Sequence, residues 1–394
     1  MTISTSISPR LLLVRRAAAQ LLDVRIGGDP TDGVRALLAV QAQDKSAWRL
    51  ALRARVRDIT AADVDRCLTD HRSLVVSWLN RGTLHLVSSG DYPWLWALTA
   101  PPRATANARR LSQVGLSPAD VERGVARIER ALRDEGPLRR AELRARLTDA
   151  GIRTEGQALV HLLFAATIRG LAVLGPVVEG EHAFAHTREW LGFDPKEAPL
   201  SGPRRDVALA ELARRYLRGH GPAADTDLAR WAGLPLRDAR IGLRAIAGEL
   251  VELEGGLLDL ADRKPSAFEL EARWHDRTLP SRLLPGFDPC LLGWRQREPF
   301  VRPAHDPVVV PAGGGVFRAV ATVDGVAAAT WGLRRQGGSV AVTVNPFEPL
   351  DAAGREAVAA EIKDVARFEG RTLVGDAARS RANATGIRHG GPRP

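Results

Sequence analysis

The sequence predicts an α+β protein in which helical units, each closed by a short strand pair, precede a β-rich C-terminal region. Helical apolar spacing recurs up to about Lys264, after which short β-like runs with Gly and Pro punctuation replace it. The pattern Gly-Pro-x4-acid-Leu also occurs twice in the helical part, beginning at Gly136 and at Gly221. With 394 residues, 45% of them apolar, the chain is long enough for roughly two to four globular domains.

The first unit, expected over residues 1–110, combines helices with one hairpin. Apolar spacing predicts three helices, and two β-rich runs meet at the turn Asn80-Arg81-Gly82. The predicted helices lie near Pro9 to Leu22, Thr31 to Val40 and Ala61 to Leu68, and the predicted strands are Ser73 to Leu79 and Thr83 to Val87.

The second and third units, expected over residues 111–200 and 201–264, repeat one plan. In each, a long helix ends at Gly-Pro, and the pattern Gly-Pro-x4-acid-Leu follows, with Glu142 in one copy and Asp227 in the other. A further helix and a strand pair complete each copy, which indicates internal duplication. Three helices plus a hairpin constitute a winged helix, so the sequence predicts three in tandem.

The last region, expected over residues 265–394, is predicted to form a small β-barrel or curled sheet. Asp324-Gly325 between two β-like runs is a hairpin signal, and Arg334 and Arg335 lie near the tip of a second hairpin. Asp351 to Phe368 fits a closing amphipathic helix, and Arg379 to Pro394 fits a frayed basic tail.

Charge and cysteine content bound the partners and the compartment. The formal net charge of +10 comes almost wholly from arginine, which favours a polyanionic partner, although base composition of the genome also enriches arginine. Cys67 and Cys290 are expected in the core, and a lone pair of cysteines fits a reducing cytoplasm. The N-terminus lacks a signal pattern and no apolar run reaches a membrane span, so no membrane partner is expected.

Gln41 and Gln43 are the most informative polar residues. Val34, Leu37 and Leu38 predict a buried helix face, and Gln41 continues that spacing where an aliphatic residue is expected. Burying an amide without partners costs roughly 1 to 3 kcal/mol. Gln43 points the same way as Gln41 only if the chain becomes extended at the helix end. The alternative is that Gln41 caps the last turn and Gln43 lies in solvent.

The stretch from Trp48 to Arg57 alternates apolar residues with arginines, which predicts a strand with one basic face. That face either follows a phosphate backbone or is simply solvated.

Three landmarks in order resemble the winged-helix DNA glycosylases of the AlkZ and YcaQ superfamily, over about Leu11 to Phe368. The landmarks are Gln41-Ala42-Gln43, Trp78-Leu79-Asn80-Arg81-Gly82-Thr83-Leu84-His85-Leu86-Val87 and Leu283-Leu284-Pro285-Gly286-Phe287-Asp288-Pro289-Cys290-Leu291-Leu292-Gly293-Trp294. YcaQ-type members carry Gln-x-Asp at the first landmark and AlkZ-like members carry Gln-x-Gln, so this chain resembles the AlkZ-like type.

The resemblance implies a C-shaped, DNA-binding protein of three winged helices and a β-barrel. It also implies hydrolysis of the N-glycosidic bond of alkylated purines in double-stranded DNA, with Gln41 and Gln43 as the catalytic pair. Unhooking of interstrand crosslinks and self-resistance to a DNA-alkylating natural product are further roles that the resemblance allows. These roles predict base excision repair by a cytoplasmic, nucleoid-associated monomer.

Two neutral amides suffice for this reaction if the leaving base is already cationic. A purine alkylated at N7 or N3 leaves as a neutral base without a general acid. The amides then need only to hold a water against C1′ and to favour the developing oxocarbenium. Asp44 enters the site only after a one-residue shift of the chain, and Lys45 is expected to contact phosphate rather than to form a Schiff base.

The remaining site predictions concern DNA contacts. Arg81 at the wing tip and Arg334 and Arg335 at the later hairpin are expected to contact phosphate or the minor groove. His85 either faces DNA or packs at its strand end. No metal and no cofactor are expected, because His182 and His186 lack a third ligand and Gly313-Gly314-Gly315 lacks the end of a phosphate loop.

A non-enzymatic winged-helix regulator is the alternative function, because winged helices chiefly serve sequence-specific recognition.

Overall fold

A computed structural model of the chain describes residues 7–44, 47–197, 200–263, 277–312 and 315–374. The mixed α+β class is confirmed. Its helices are α1 (Pro9–Ala19), α2 (Pro30–Leu37), α3 (Ala47–Arg53), α4 (Ala61–Thr69), α5 (Tyr92–Thr99), α6 (Ala104–Gln113), α7 (Pro118–Asp134), α8 (Arg140–Asp149), α9 (Ala158–Ile168), α10 (Thr187–Leu191), α11 (Gly202–His220), α12 (Asp225–Ala232), α13 (Leu236–Ala245), α14 (Pro289–Leu292), α15 (Asp306–Val309) and α16 (Ala352–Glu369).

The strands of the described residues form three antiparallel groups, one of which gains a short parallel strand. They are β1 (Val40–Gln41), β2 (Leu74–Leu79), β3 (Thr83–Ser88), β4 (Ala172–Val178), β5 (Glu181–His186), β6 (Leu250–Leu253), β7 (Leu257–Leu260), β8 (Arg282–Leu284), β9 (Val320–Val323), β10 (Val326–Gln336), β11 (Ser339–Pro346) and β12 (Thr372–Leu373).

One order of elements recurs three times along the chain: a helix, a short bridging segment, two helices and a hairpin. The helices and hairpins of the three copies are α2, α3, α4 with β2–β3, then α7, α8, α9 with β4–β5, then α11, α12, α13 with β6–β7. In each copy the bridging segment pairs with the second hairpin strand. The three pairs are Val40 with Leu86, Leu138 with Phe184 and Ala223 with Leu258.

This repeat relates β1 to the two Gly-Pro motifs. Leu138 and Ala223 directly follow Gly-Pro, so Val40 and Gln41 hold the equivalent place in the first copy. Helix α1 stands outside the repeat, and within the first copy α3 is a helix where the sequence predicted a strand. The count of three domains, their predicted boundaries and the C shape stay predictions.

Helix α2 begins at a strong cap and ends earlier than the apolar spacing predicts. The Asp29 carboxylate accepts a hydrogen bond from the Thr31 amide, the Asp32 carboxylate accepts one from the Asp29 amide, and Pro30 opens the first turn. The predicted end was Val40, but the helix stops at Leu37 because Leu38 takes φ 68° and ψ −47°. The chain is then free to run on as strand β1.

The predicted strand from Trp48 to Arg57 is wrong, because residues Ala47–Arg53 form helix α3. Asp44 caps this helix by accepting from the Ala47 amide at 3.0 Å. The arginines do not share an exposed face: Arg53 and Arg55 are fully buried. Each lies against carboxylates from the far end of the chain, which alternation within one segment cannot reveal.

Those carboxylates join the first copy to the C-terminal region. Arg53 donates to Glu361 at 3.0 Å and to Asp364 at 2.7 Å. Arg55 donates hydrogen bonds to both carboxylate oxygens of Asp288, at 2.7 and 2.9 Å, and both side chains are inaccessible to solvent. Buried charges need such partners, since an unpaired one is costly to desolvate. Asp288 lies in the third sequence landmark, which therefore anchors the first copy.

The first two hairpins share one five-stranded sheet, in the order β1-β3-β2-β4-β5. Strand β2 pairs with β4 through Val76 and Leu174, which joins the two copies edge to edge. Buried Val75, Leu79 and Val87 belong to the largest apolar core, together with side chains of α5 and α11.

The C-terminal region holds a second five-stranded sheet, in the order β12-β11-β10-β9-β8. The predicted Asp324-Gly325 turn joins β9 to β10, and α16 follows the sheet as the predicted closing helix. Among the described strands this sheet is open, so closure into a barrel stays a prediction. The tail from Arg379 lies outside the described residues. None of the helices in the described ranges has the length and apolarity that a bilayer crossing requires.

Candidate active site

Gln41 lies on β1, the edge strand of the five-stranded sheet β1-β3-β2-β4-β5, rather than on a helix. Strand β1 places it directly opposite His85 of β3, and its side chain is only 9% exposed. Its Oε1 accepts a hydrogen bond from Arg81 Nη2 at 3.1 Å. Arginine only donates, so the amide atom facing Arg81 must be the oxygen. The amide nitrogen, with two donor hydrogens, is left for another partner.

Gln43 lies two residues further along the chain. The Ala42 amide continues the ladder by donating to the Leu84 carbonyl at 2.7 Å, and the Ala42 side chain is buried in the core. Gln43 lies at a bend just after this pairing; it is exposed, and its Oε1 makes one long contact of 3.5 Å with the Leu84 amide. Both glutamine side chains therefore lie beside β3, and a common direction for the two amides stays a prediction.

The turn before this segment is strained. Leu38 is fully buried, and its φ of 68° and ψ of −47° fall near the classic γ-turn conformation, which costs roughly 1 to 3 kcal/mol for a non-glycine residue. Surrounding core contacts must hold this backbone in place. The strain ends α2 and directs Ala39, Val40 and Gln41 into the sheet.

His85 is a neutral neighbour of Gln41. Its ring is 3% exposed, and Nδ1 donates to the Thr83 carbonyl at 2.8 Å. Burial and the nearby charge of Arg81 lower the pKa of His85 to about 3, against the opposing effect of the Thr83 bond. With Nδ1 protonated, Nε2 carries a lone pair. In the free protein, therefore, the His85 ring that was predicted to contact DNA is buried and uncharged.

The wing tip that carries Arg81 is covered by the third copy. Asn80 adopts φ 50° and Gly82 φ 82°, which close the turn between β2 and β3. A Cβ added at Gly233, the residue that ends α12, would lie 2.9 Å from the Arg81 Cα and from the Asn80 carbonyl oxygen. Arg103 also donates to the Gly233 carbonyl. The wing backbone is therefore fixed, although the Arg81 side chain stays partly exposed.

The other predicted DNA contacts lie apart from this cluster in sequence. Arg334 is exposed on β10, while Arg335 forms a bidentate pair with Glu369 at 2.6 and 2.7 Å. Hydrogen bonds to Glu369 raise the pKa of Arg335, and the charge of Asp44 adds to the rise. The hairpin end is thus near the loop after Gln43. Lys45 lies outside the described residues.

The histidines set aside as ligands have packing roles. His182 Nε2 lies 3.2 Å from Arg49 Nη2, and its ring packs against Trp48. Of the described residues, Asp29, Cys67 and His71 place metal-ligand atoms within 4.8 Å of one another. Asp29 already caps α2, and burial raises the pKa of the Cys67 thiol. We therefore assign no metal to this cluster.

A family model for AlkZ-like DNA glycosylases matches residues 34–368. The chain belongs to the AlkZ-like DNA glycosylase family. Among solved structures it is similar to the DNA glycosylase AlkZ of Streptomyces sahachiroi, with a TM-score of 0.73 and 25% identity. That match covers 94% of this chain and 100% of the other. A search of curated proteins returned no match.

For an AlkZ-like glycosylase, the sequence identified the two glutamines but not what supports them. The hydrogen bond from Arg81 to Gln41 and the approach of Gly233 to the wing tip join segments distant in the chain. The strained backbone of Leu38 likewise depends on the folded core around it. The only available signal was the left-handed turn pattern Asn80-Arg81-Gly82, which fixes where Arg81 stands.

Proposed function

We propose that this glycosylase hydrolyses the N-glycosidic bond of purines alkylated at N7 or N3 in double-stranded DNA, with Gln41 and Gln43 as the catalytic pair. The observation that carries the proposal is that both glutamines lie beside strand β3, Gln41 opposite His85 and Gln43 at the Leu84 amide, next to the wing tip that carries Arg81. Family membership supports glycosylase chemistry, and the proposal adds the substrate class and the residues.

The site suits a cationic leaving base. Neither glutamine titrates, and His85 is neutral, so the segment offers no general acid to protonate a leaving purine. An N7- or N3-alkylated purine needs none, because its positive charge is neutralised as the glycosidic bond breaks. Amide oxygens hold a water against C1′, and their dipoles favour the developing positive charge of the sugar. Hydrolysis without a covalent enzyme intermediate makes the enzyme monofunctional.

Positively charged side chains are proposed to hold the DNA. Arg334 has an exposed side chain near a hairpin tip, and Arg81 reaches the same segment as Gln41. Lys45, Arg335 and His85 complete the predicted set, although Arg335 must first leave Glu369 and His85 must be uncovered.

The exposed position of Gln43 supports bulky substrates. Gln43 is exposed, while Gln41 is buried beside it on an edge strand. A large natural-product adduct can reach Gln43 at the surface without entering a narrow pocket. We extend the proposal to excision of bulky alkylpurines, to unhooking of interstrand crosslinks and to self-resistance against the alkylating compound.

The test is release of free N7-methylguanine from methylated duplex DNA by native protein and by Gln41→Ala and Gln43→Ala variants that still bind DNA. We expect the native protein to release the base and each variant to lose at least about 100-fold in rate, the loss typical of removing a positioned polar group. Gln113→Ala, an exposed glutamine on α6, is the matched control and should retain activity.

Two outcomes would overturn the proposal. Full activity in both variants would remove the glutamines from catalysis. Absence of release from methylated and from bulky alkylated DNA, together with a defined consensus in selected binding sites, would favour a winged-helix regulator.

A further inference from the structure

Arg81 carries a charge that no carboxylate neutralises in the part of the chain that the structure describes. Within the described residues it forms no ion pair, and its one hydrogen bond goes to the neutral carbonyl of Gln41. Several other buried arginines in these ranges face carboxylates, as Arg55 faces Asp288 and Arg215 faces Asp91. Arg16 and Arg103 resemble Arg81 in donating to carbonyls. What distinguishes Arg81 is its place at the wing tip beside Gln41, where a partly buried guanidinium with only a neutral acceptor can still take an anionic partner.

A second arginine increases the local positive charge. Burial is the main cause that lowers the pKa of Arg81, and the charge of nearby Arg230 on α12 lowers that pKa further. Arg230 likewise has no ion pair among the described side chains, and its hydrogen bond goes to the Arg295 carbonyl at 3.4 Å. Two adjacent cations that lack an internal counter-ion favour an external anion. A DNA phosphate is the anion that the proposed substrate supplies.

The bond to Gln41 conflicts with the chemistry proposed for that residue. A carbonyl that accepts from a guanidinium is less available to a water, and the charge of Arg81 opposes a cationic base and an oxocarbenium. The wing backbone is held by Gly233 and Arg103, so it is the Arg81 side chain that has room to move. A phosphate offers arginine a full opposite charge and two oxygens for bidentate bonding, whereas the Gln41 carbonyl offers only one neutral oxygen.

We propose that Arg81 exchanges partners when DNA binds, leaving the Gln41 carbonyl for a backbone phosphate next to the lesion. Resting on the proposed function, this exchange makes Arg81 a substrate-binding residue that also holds Gln41 in one orientation until DNA arrives. The exchange couples the exposure of the Gln41 carbonyl to the presence of substrate. It also neutralises a charge beside Gln41 that opposes the reaction.

The first test measures binding alone, on unmodified duplex DNA over a range of salt concentrations, for native protein and for Arg81→Gln, Arg81→Lys and Arg123→Gln. Loss of one phosphate contact should weaken binding about tenfold and reduce the slope of log K against log salt by roughly 0.9. Arg81→Lys should restore most of the slope, because lysine also binds phosphate. Arg123, an exposed arginine paired with Asp120 on α7, is the matched control.

The second test separates KM from kcat for release of N7-methylguanine. If Arg81 is on a phosphate during the reaction, Arg81→Gln should raise KM about tenfold and lower kcat by less than about threefold. If Arg81 instead stays on Gln41 as an orienting group, kcat should fall about tenfold or more with little change in the salt slope. That result would overturn the exchange.

The two tests keep this inference distinct from the proposed function. Should native protein release no base, the proposed function fails, while the salt slope still decides whether Arg81 binds phosphate. An unchanged slope in Arg81→Gln, with an unchanged melting temperature, overturns the exchange whether or not the protein is active.

Discussion

Gln41 and His85 lie directly opposite each other on the adjacent antiparallel strands β1 and β3. The amide does not titrate, and the imidazole is held neutral by burial, with its pKa lowered to about 3. The site therefore contains no group that changes charge at physiological pH among the residues proposed for the chemistry.

We expect the rate of base release at saturating DNA to be flat between about pH 6 and 9. Neither glutamine changes protonation, and His85 stays neutral throughout that range. Single-turnover rates across this range measure the dependence. A bell-shaped profile would contradict the two-amide mechanism and indicate a titrating acid or base.

His85 should make folding stability depend on pH below neutrality. Its pKa is about 3 in the folded chain and ordinarily 6.5, so only the unfolded chain gains the proton as pH falls. The contribution of the neutral His85 to folding stability is complete above pH 6.5 and is lost as the pH falls towards 3. When the pH is lowered from 7 to 5, the free energy of unfolding of the native protein should fall by about 2 kcal/mol more than that of His85→Gln. Urea unfolding at both pH values measures this difference, and equal losses would contradict the burial effect.

Gly233→Ala should disable the site through the wing tip. The new Cβ would lie 2.9 Å from the Arg81 Cα, so the tip must move and the Arg81 to Gln41 geometry with it. Gly192→Ala is a close control, because Gly192 shares φ 67° at a helix end but has open space around it. Both variants should lose about 1 kcal/mol of folding stability, because alanine is strained at this positive φ. Only Gly233→Ala should lose binding and base release, and equal activity would contradict the coupling.

Asp288→Asn should severely destabilise the protein. The change leaves the fully buried Arg55 without its counter-ion, which costs about 3 to 5 kcal/mol. Thermal melting and soluble yield report the loss. Glu135→Gln removes an exposed carboxylate that pairs with Arg146 and should leave the melting temperature nearly unchanged. Similar melting temperatures for the two variants would show that the buried pair is not structural.

Gln43→Asp should broaden the range of excised bases. A carboxylate can take a proton from the attacking water and stabilises the oxocarbenium with a full charge, so a neutral base becomes a feasible leaving group. Release of uracil from duplex DNA should be absent for native protein and detectable for the variant. Native release of uracil would show that the amides are not limited to cationic adducts.

The sequence predicted what depends on local pattern. Gly136-Pro137 and Gly221-Pro222 predicted a repeat, and the bridging pairs at Leu138 and Ala223 now lie in equivalent places. It did not predict where α2 ends, because the conformation of Leu38 is imposed by the surrounding core. Helix α3 was missed because Arg53 and Arg55 are paired with residues more than 200 positions away. A buried arginine and a solvated one look alike in sequence.

Those distant partners also constrain how the protein is made. Arg53 of the first copy is neutralised by Glu361 and Asp364, near the end of the chain. During synthesis the ribosome therefore exposes the Gln41 segment long before the counter-ions of its supporting helix exist. The final ion pairs of the N-terminal unit form only after Glu361 and Asp364 have emerged. A product truncated before Glu361 would consequently contain both glutamines and yet leave Arg53 without these counter-ions.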